Sequence, residues 1–462
     1  MMSRAAPGRF TIIAYLLFLG VVALTGGSSH YDAASQPVVR LAAILLIGAL
    51  ALRRSDRDIS SYRPAFWFLT ALALIIFLQL VSLPPGLWTD LPGRDRYLAA
   101  AIAAGEPQPW RPINLMPDRG WNALFALLPP IAALLAVSRV RTRDQIAVMA
   151  AWLLIVVASA VLGLAQVSAG SDDTLRFYAA PPTTSAVGLF ANRNHQALLI
   201  CCGLPMLAVW TDLMRADRAT ARLHGAIAIV SAAFLLLVIP TTGSRTGLML
   251  LALALPFAIA LAWPALKAAV GTLSRPRRTV VVAAALTALA VLIAVALTFS
   301  RAESVQRLFA IDPVEDARVR LLRPLMAMIH GFFPFGSGFG SFEPVYLGFE
   351  PFGNLAVTIM NQAHDDYLQL ALEAGLPGLL LLIAFLGWWG WTSLRLWRRA
   401  DGEGRLLGRL GSVVLLLIMV ASATDYPVRT PLMMVLAAQS AGWMLLPARR
   451  RTDHGEMRIK TG

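Results

Sequence analysis

Charge is scarce in this chain of 462 residues: only 14% are Asp, Glu, Lys or Arg, while 57% are apolar. A soluble domain carries about 25% charged residues, so this chain has too little polar surface to cover itself, which excludes a soluble globular enzyme. Cysteine is nearly absent. The two that occur, Cys201 and Cys202, are adjacent and lie inside an apolar run; neither a disulfide framework nor a metal knuckle is supported, and core packing is their expected role. Also missing are the G-x-x-x-x-G-K-S/T phosphate loop, the H-E-x-x-H zinc helix and a Ser-centred nucleophile elbow. The run Gly336-Ser-Gly338-Phe-Gly340 lacks the flanking strand and helix of a dinucleotide site and reads as a turn.

Basic residues outnumber acidic ones, 40 to 26, giving a formal charge of +14. They form short clusters between apolar runs rather than one contiguous face, so no nucleic-acid partner is expected. A membrane orientation signal explains them better. Apolar runs approaching the roughly 20 residues needed to cross a hydrocarbon core recur along the whole chain. Within lipid these must be helices, because only a helix satisfies every backbone donor and acceptor within its own segment.

The expected fold is therefore an all-α integral membrane protein of about 12 transmembrane helices. The spans fall near Phe10–Gly26, Gln36–Leu52, Ala65–Leu83, Trp121–Val137, Ala147–Gln166 and His195–Trp210. Six more follow near Leu223–Pro240, Thr246–Trp263, Thr279–Phe299, Leu376–Trp397, Leu406–Ala421 and Pro431–Leu446. With the basic N-terminal segment read as the inner flank of an uncleaved first helix, every cytoplasmic turn is basic, including Arg53-Arg54, Arg277-Arg278 and Arg449 to Arg451. Acidic residues gather on the other face, and both termini are expected in the cytoplasm.

Three outer segments are long for a compact bundle: Pro84–Arg119, Val167–Ala186 and Ser300–Gly375. Loops on a rigid scaffold are where binding and catalytic groups concentrate, and connections beyond about 12 to 15 residues are usually functional or disordered. The third, between helices 9 and 10, contains Ala317–Ile329, a basic amphipathic stretch expected to form a helix on the outer surface or folded back into a cavity. No internal repeat and no inverted pair of broken helices is evident.

Ionisable residues close to hydrocarbon are costly and mark functional sites. Arg245, in Pro-Thr-Thr-Gly-Ser-Arg-Thr-Gly between two apolar helices, is either an interfacial anchor snorkelling to lipid phosphates or a fork for bidentate phosphate capture. Arg318, Arg320 and Arg323 lie on the expected loop helix; 320 and 323 share a face by i, i+3 spacing and 318 points elsewhere, with a solvated basic face as the plain alternative. His364, in Asn-Gln-Ala-His-Asp-Asp-Tyr, carries the side chain best suited to moving a proton near neutral pH, although a single His is more often a capping or packing residue. Asp365 and Asp366 beside it either orient the ring or occupy a first helical turn. Asn192-Arg193-Asn194-His195 opens the sixth helix and can cap it or offer N–H groups to an anion.

Three islands occur in order: TTGSRTG; an arginine-bearing amphipathic stretch followed by FFPFGSGFGSFEP; and NQAHDDYLQLALEAGLPGLLLL, with GLFANRNHQALL in support. Together they resemble the O-antigen ligase and polymerase superfamily of bacterial envelope enzymes, over roughly residues 187–385. The resemblance implies a GT-C-like, multi-pass protein of the bacterial inner membrane with its active site on the periplasmic face. It implies transfer of a glycan from an undecaprenyl-pyrophosphate-linked donor to a lipid A core or other acceptor hydroxyl, without metal or cofactor and with inversion. By position, His364 matches the motif histidine proposed as the base, Arg245 the arginine of the short junction, and Arg318 the loop arginine. Family members often have a Trp four positions after that arginine, where this chain has Leu322. Arg193, Asn194 and Arg320 are further candidates for substrate binding. The chemistry is coherent, since a glycosyl pyrophosphate already has a good leaving group and needs cations on the diphosphate and a base on the acceptor.

On this reading residues 1–186 hold transmembrane helices 1–5 with their periplasmic loops. Residues 187–398 form the ligase- or polymerase-like core with its loop at 300–375, and 399–462 the last two helices and a basic cytoplasmic tail. A ligase is the leading expectation. A polymerase joining repeat units on the same carrier is the nearest rival. A flippase for lipid-linked sugars is the non-enzymatic alternative, but it would bury charge within the helices, whereas here charge gathers at the outer rim.

Overall fold

The computed structural model describes residues 7–31, 33–53, 57–170, 173–178, 184–214, 220–271, 313–355, 360–398 and 403–446, together with 274, 276 and 279. The apolar runs become helices α1 (Pro7–Thr25), α2 (Gln36–Ala51) and α3 (Arg63–Leu80). Proline opens many of them, including Pro37 in α2 and Pro64 in α3, at the first-turn positions where a missing N–H has no partner to lose.

The first long outer segment is folded rather than open. It holds short helices α4 (Pro85–Thr89) and α5 (Asp95–Ala104) and a two-stranded antiparallel ribbon. In the ribbon, β1 (Ser82–Leu83) pairs with β2 (Arg111–Pro112), with Ser82 opposite Pro112 and Leu83 opposite Arg111. The fourth expected span is divided into α6 (Pro117–Phe125) and α7 (Leu128–Arg139), the break falling just before Pro129 and Pro130, which cannot donate to a continuing ladder.

Then come α8 (Gln145–Ala169), α9 (Arg193–Leu213), α10 (Ala221–Thr241) and α11 (Arg245–Gly271). Helix α9 is the axis of the bundle. Nearly every residue from His195 to Leu207 is buried, including Cys201 and Cys202, and the helix packs against α8, α10 and α11. A helix apolar all round belongs in the middle of such an assembly. The cysteines are free and fully buried, as core residues.

The chain continues with α12 (Pro313–Phe332), α13 (Phe342–Leu347), α14 (Asp366–Arg398), α15 (Glu403–Ser422) and α16 (Pro431–Met444). Eleven of the twelve expected segments coincide with described helices; the ninth, apart from Thr279, lies outside the described residues. Among the described residues, eight helical stretches are long and apolar enough to cross a membrane, and α1 and α2 are shorter apolar helices. Apart from the short β1–β2 ribbon, the described residues form a helical, multi-pass membrane architecture.

The amphipathic stretch expected at 317–329 lies within α12. Its apolar face, Leu321, Leu325, Met328 and Phe332, packs on α13 and on Leu372 of α14, leaving Arg320 and Arg323 exposed.

Helix α14 begins ten residues before the expected Leu376, because Asp365 caps it: its Oδ1 accepts from the N–H groups of Tyr367 and Leu368 at 2.9 and 3.0 Å. Gly375 then breaks the helix at φ 58°, ψ −146°. The interruption frees carbonyls that the glycine-rich run takes up. Ser337 N–H donates to Leu372 O and Gly338 N–H to Glu373 O, both at 2.9 Å, while Leu376 N–H donates to Pro334 O at 2.8 Å. The Gly336–Gly340 segment is thus the expected turn, with all three glycines at positive φ. A Cβ on Gly375 would run into Pro334 O, and the left-handed backbone disfavours any L side chain. Gly375→Ala is expected to destabilise the protein by at least about 1–3 kcal/mol, read as a lower melting temperature in detergent.

Candidate functional site

Three helix ends meet at one end of the bundle. Asn192 caps α9, its Oδ1 accepting from Asn194 N–H at 2.8 Å. Ser244 caps α11, its Oγ accepting from Gly247 N–H at 2.9 Å. The α15–α16 connection supplies Asp425, a residue that sequence reasoning did not single out.

Asp425 is 1% exposed and is the hub of the site. Its Oδ2 accepts from Asn192 Nδ2 at 3.0 Å and from Asn194 Nδ2 at 2.6 Å. Its Oδ1 lies 3.4 Å from His364 Nδ1 and 3.9 Å from His195 Nε2. Asn194 Oδ1 in turn accepts from Ser244 Oγ at 2.7 Å, so the residue immediately before Arg245 is linked through Asn194 to the same carboxylate. Thr246 and Thr424 close the group, with hydroxyl oxygens 3.2 Å apart. The Tyr426 ring stands edge-on to His364 and His195, at centroid distances of 4.9 and 5.3 Å.

Burial works against the charge on Asp425, but the contacts with His364, His195 and Asn194 outweigh it and hold the carboxyl well below the usual carboxylate range. The nitrogen of His364 that faces this carboxylate is Nδ1. His364 itself has φ 53° and is the one non-glycine residue at positive φ among the described residues. Backbone strain of this kind is held in place only where the surroundings over-determine it, and it concentrates at active sites.

Behind this group lies a second polar layer. Arg429, four residues after Asp425, donates from Nε to Asp366 Oδ1 at 3.0 Å and from Nη1 and Nη2 to Glu373 Oε2 at 3.2 and 3.3 Å. Ser422 Oγ donates to the other Asp366 oxygen at 3.1 Å. Gln369 Nε2 donates to Glu373 Oε1 at 2.9 Å, and Gln369 Oε1 accepts from Ala363 N–H at 2.9 Å. The fork of Arg429 therefore ties the loop bearing Asp425 to α14, and the network ends on the residue before His364. Asp365 and Asp366 both have work in the first turn of α14, one as cap and the other as ion-pair partner.

The other candidate residues are placed as follows. Arg245 is the first residue of α11 and Arg193 the first of α9. Asn194 joins Asp425 to Ser244. Arg320 is exposed on α12, where its charge bears on Tyr346. Arg318 belongs to α12, but its side chain lies outside the described residues. Among the described residues, no group of three or more His, Cys, Asp or Glu is placed to hold a metal ion.

The signal that would have revealed Asp425 and Arg429 was present in Ala-Thr-Asp-Tyr-Pro-Val-Arg-Thr: two opposite charges in a turn of a few residues between apolar helices, on the same expected outer side as His364.

Beside the cluster is a cavity of about 680 Å³, lined by residues of α3, α6, α7, α14, α15 and α16. Much of its lining is apolar, including Trp67, Leu72, Phe385 and Trp388. Its polar end carries Arg119, Glu343, Asn361, Gln362, Asp366, Glu373 and Arg429.

No curated protein matches the chain. The family model described as O-Antigen ligase matches residues 230–383, a range that contains Arg245, α12, the glycine turn and His364 and ends before Asp425 and Arg429. Over that stretch, about a third of the chain, the protein is similar to the O-antigen ligase family, and this similarity supports a ligase- or polymerase-type function in glycan processing.

Proposed function

We propose that the protein is a ligase that moves a glycan from undecaprenyl pyrophosphate to an acceptor hydroxyl, lipid A core or a comparable glycolipid, at the periplasmic face of the inner membrane. The observation that carries this reading is the convergence of three separate sequence islands, those of His364, Asn194 and Ser244-Arg245, around the buried carboxylate of Asp425.

His364 acts as the base. Its Nε2 takes the proton of the acceptor hydroxyl as the oxygen attacks the anomeric carbon, and Asp425 stabilises the resulting imidazolium. The bond from the anomeric carbon to the diphosphate oxygen breaks, and its electron pair leaves with undecaprenyl pyrophosphate. Arg245 and Arg318 hold the diphosphate and meet the charge that develops on it, with Arg193 and Arg320 as further contacts and Asn194 as a positioning group. Attack opposite the leaving group inverts the anomeric centre.

The test is to delete the gene, restore it as wild type or as a site variant, and measure surface glycan and carrier-bound glycan together. Loss of a ligase leaves long chains on the carrier and bare acceptor. Acceptors bearing a single repeat would instead mark a polymerase, and repeat units trapped on the cytoplasmic side a flippase; either result overturns the ligase reading. Arg245→Lys is expected to lower turnover about tenfold or more, since a point charge cannot reproduce the two-pronged contact of a guanidinium with a phosphate. Wild-type turnover in that variant would remove Arg245 from the diphosphate site.

A further inference from the structure

The cavity beside the cluster has a charge balance that selects its occupant. Its cations are already engaged: Arg119 pairs with Glu343 at 3.0 Å, and Arg429 pairs with both Asp366 and Glu373. The charged Arg, Asp and Glu side chains of the lining are these two guanidiniums and three carboxylates. A diphosphate entering here would meet a net negative lining whose arginines are both paired. Sugar hydroxyls, by contrast, both donate and accept, and the partly exposed carboxylate of Glu343 and the amides of Asn361 and Gln362 offer partners of both kinds. The remainder of the wall is apolar and aromatic, and about 680 Å³ lies inside the range of roughly 300–1,000 Å³ typical of small-molecule pockets.

The position agrees with the chemistry. Segment 361–367 contributes Asn361, Gln362, Asp366 and Tyr367 to the cavity wall, while His364, in the middle of that segment, turns to Asp425. The histidine therefore stands at the seam between the cavity and the α9–α11 side, where Arg193 and Arg245 begin their helices.

We infer that this cavity is the acceptor subsite: it takes the alkyl chain and the adjoining uncharged sugar of a glycolipid, and the donor diphosphate binds on the opposite, Arg245 side of His364. This inference rests on the glycan-transfer reading above and assigns its two substrates to separate places.

The experiment uses the full chain in lipid nanodiscs and two probes, an alkyl glucoside with a photoreactive diazirine in its chain and undecaprenyl pyrophosphate alone. Photolabel is expected in the peptides carrying Trp67 and Trp388. Ala438→Trp, from α16, and Ala71→Trp, from α3, both fill the cavity. Each is expected to reduce labelling at least tenfold while leaving undecaprenyl pyrophosphate affinity within twofold. Size-exclusion profiles matching wild type establish folding, and the two variants come from different helices so that either one suffices. Displacement of the label by undecaprenyl pyrophosphate, or loss of its affinity in the filled variants, would overturn the assignment by making the cavity the carrier's place. Label found elsewhere would also overturn it. None of these readouts needs turnover, so failure of His364 as a base and failure of the cavity assignment are separate results.

Discussion

His364→Ala, present in the membrane at the wild-type level, is expected to lower glycan transfer by about 100-fold or more, the usual cost of losing a general base. Carrier-bound glycan should accumulate as surface glycan disappears. The argument is geometric. The imidazole has Nδ1 3.4 Å from the buried Asp425 carboxylate, a contact that orients the ring for the proton transfer proposed above. The pH behaviour has a definite sign. Asp425 is held below the ordinary carboxylate range, so its charge and the stability that charge provides are present at all pH values above that range. They are lost only as the pH falls through the depressed value. Activity that declines between neutral pH and pH 5 therefore cannot come from protonating Asp425 and must come from another group. Wild-type transfer by His364→Ala would end the catalytic assignment.

Arg429→Met is expected to cost about 3–5 kcal/mol of stability, the typical price of removing one partner from a buried ion pair. The guanidinium is 21% exposed, whereas Glu373 is completely buried and Asp366 is 9% exposed. Removing Arg429 takes from both carboxylates the cation they share. A thermal unfolding scan in detergent should show a clear drop. The triple variant Arg429→Met, Asp366→Asn, Glu373→Gln removes the stranded charge and should recover much of the loss, because a neutral, well-packed replacement of a buried ion group is often tolerated. If Arg429→Met melted with wild type, the triad would be a bystander. If the triple variant were no more stable than the single one, packing of the arginine stem rather than charge pairing would account for the loss.

Much of the architecture was legible in the chain because lipid leaves few options. An apolar run of about 20 residues with no aqueous partner for its backbone must be helical, and the helices fall where hydropathy places them. Boundaries were less legible where local chemistry intervenes. Asp365 starts α14 ten residues before the apolar run, and Gly375 interrupts it, because a cap and a left-handed glycine act through single hydrogen bonds rather than through composition. The amphipathic loop helix was correctly anticipated as a helix, while its docking on α13 and α14 depends on which apolar surface is available nearby.

His364, Arg245 and the Asn192–His195 cluster were visible as unusual polar residues beside long apolar runs, and a family resemblance gave three of the candidate residues their roles. Asp425 and Arg429 were passed over because nothing in a pairwise spacing rule connects position 364 with positions 425 and 429. Their distance along the chain is bridged only when α15 and α16 close against α14. The same holds for the ion pairs of Arg119 and Arg429, since a guanidinium reads as a phosphate ligand in the sequence whether or not a carboxylate has already claimed it.

By itself the sequence determined that this is a helical membrane protein whose candidate site residues lie in the connections between apolar runs, since composition and the cost of burying charge in hydrocarbon permit little else. Tertiary structure alone decided which of those side chains share a carboxylate, which arginines are already paired, and where a cavity opens beside them. Those outcomes depend on distances of a few ångströms between residues far apart in the chain, and Coulomb and hydrogen-bond energies vary steeply over that range.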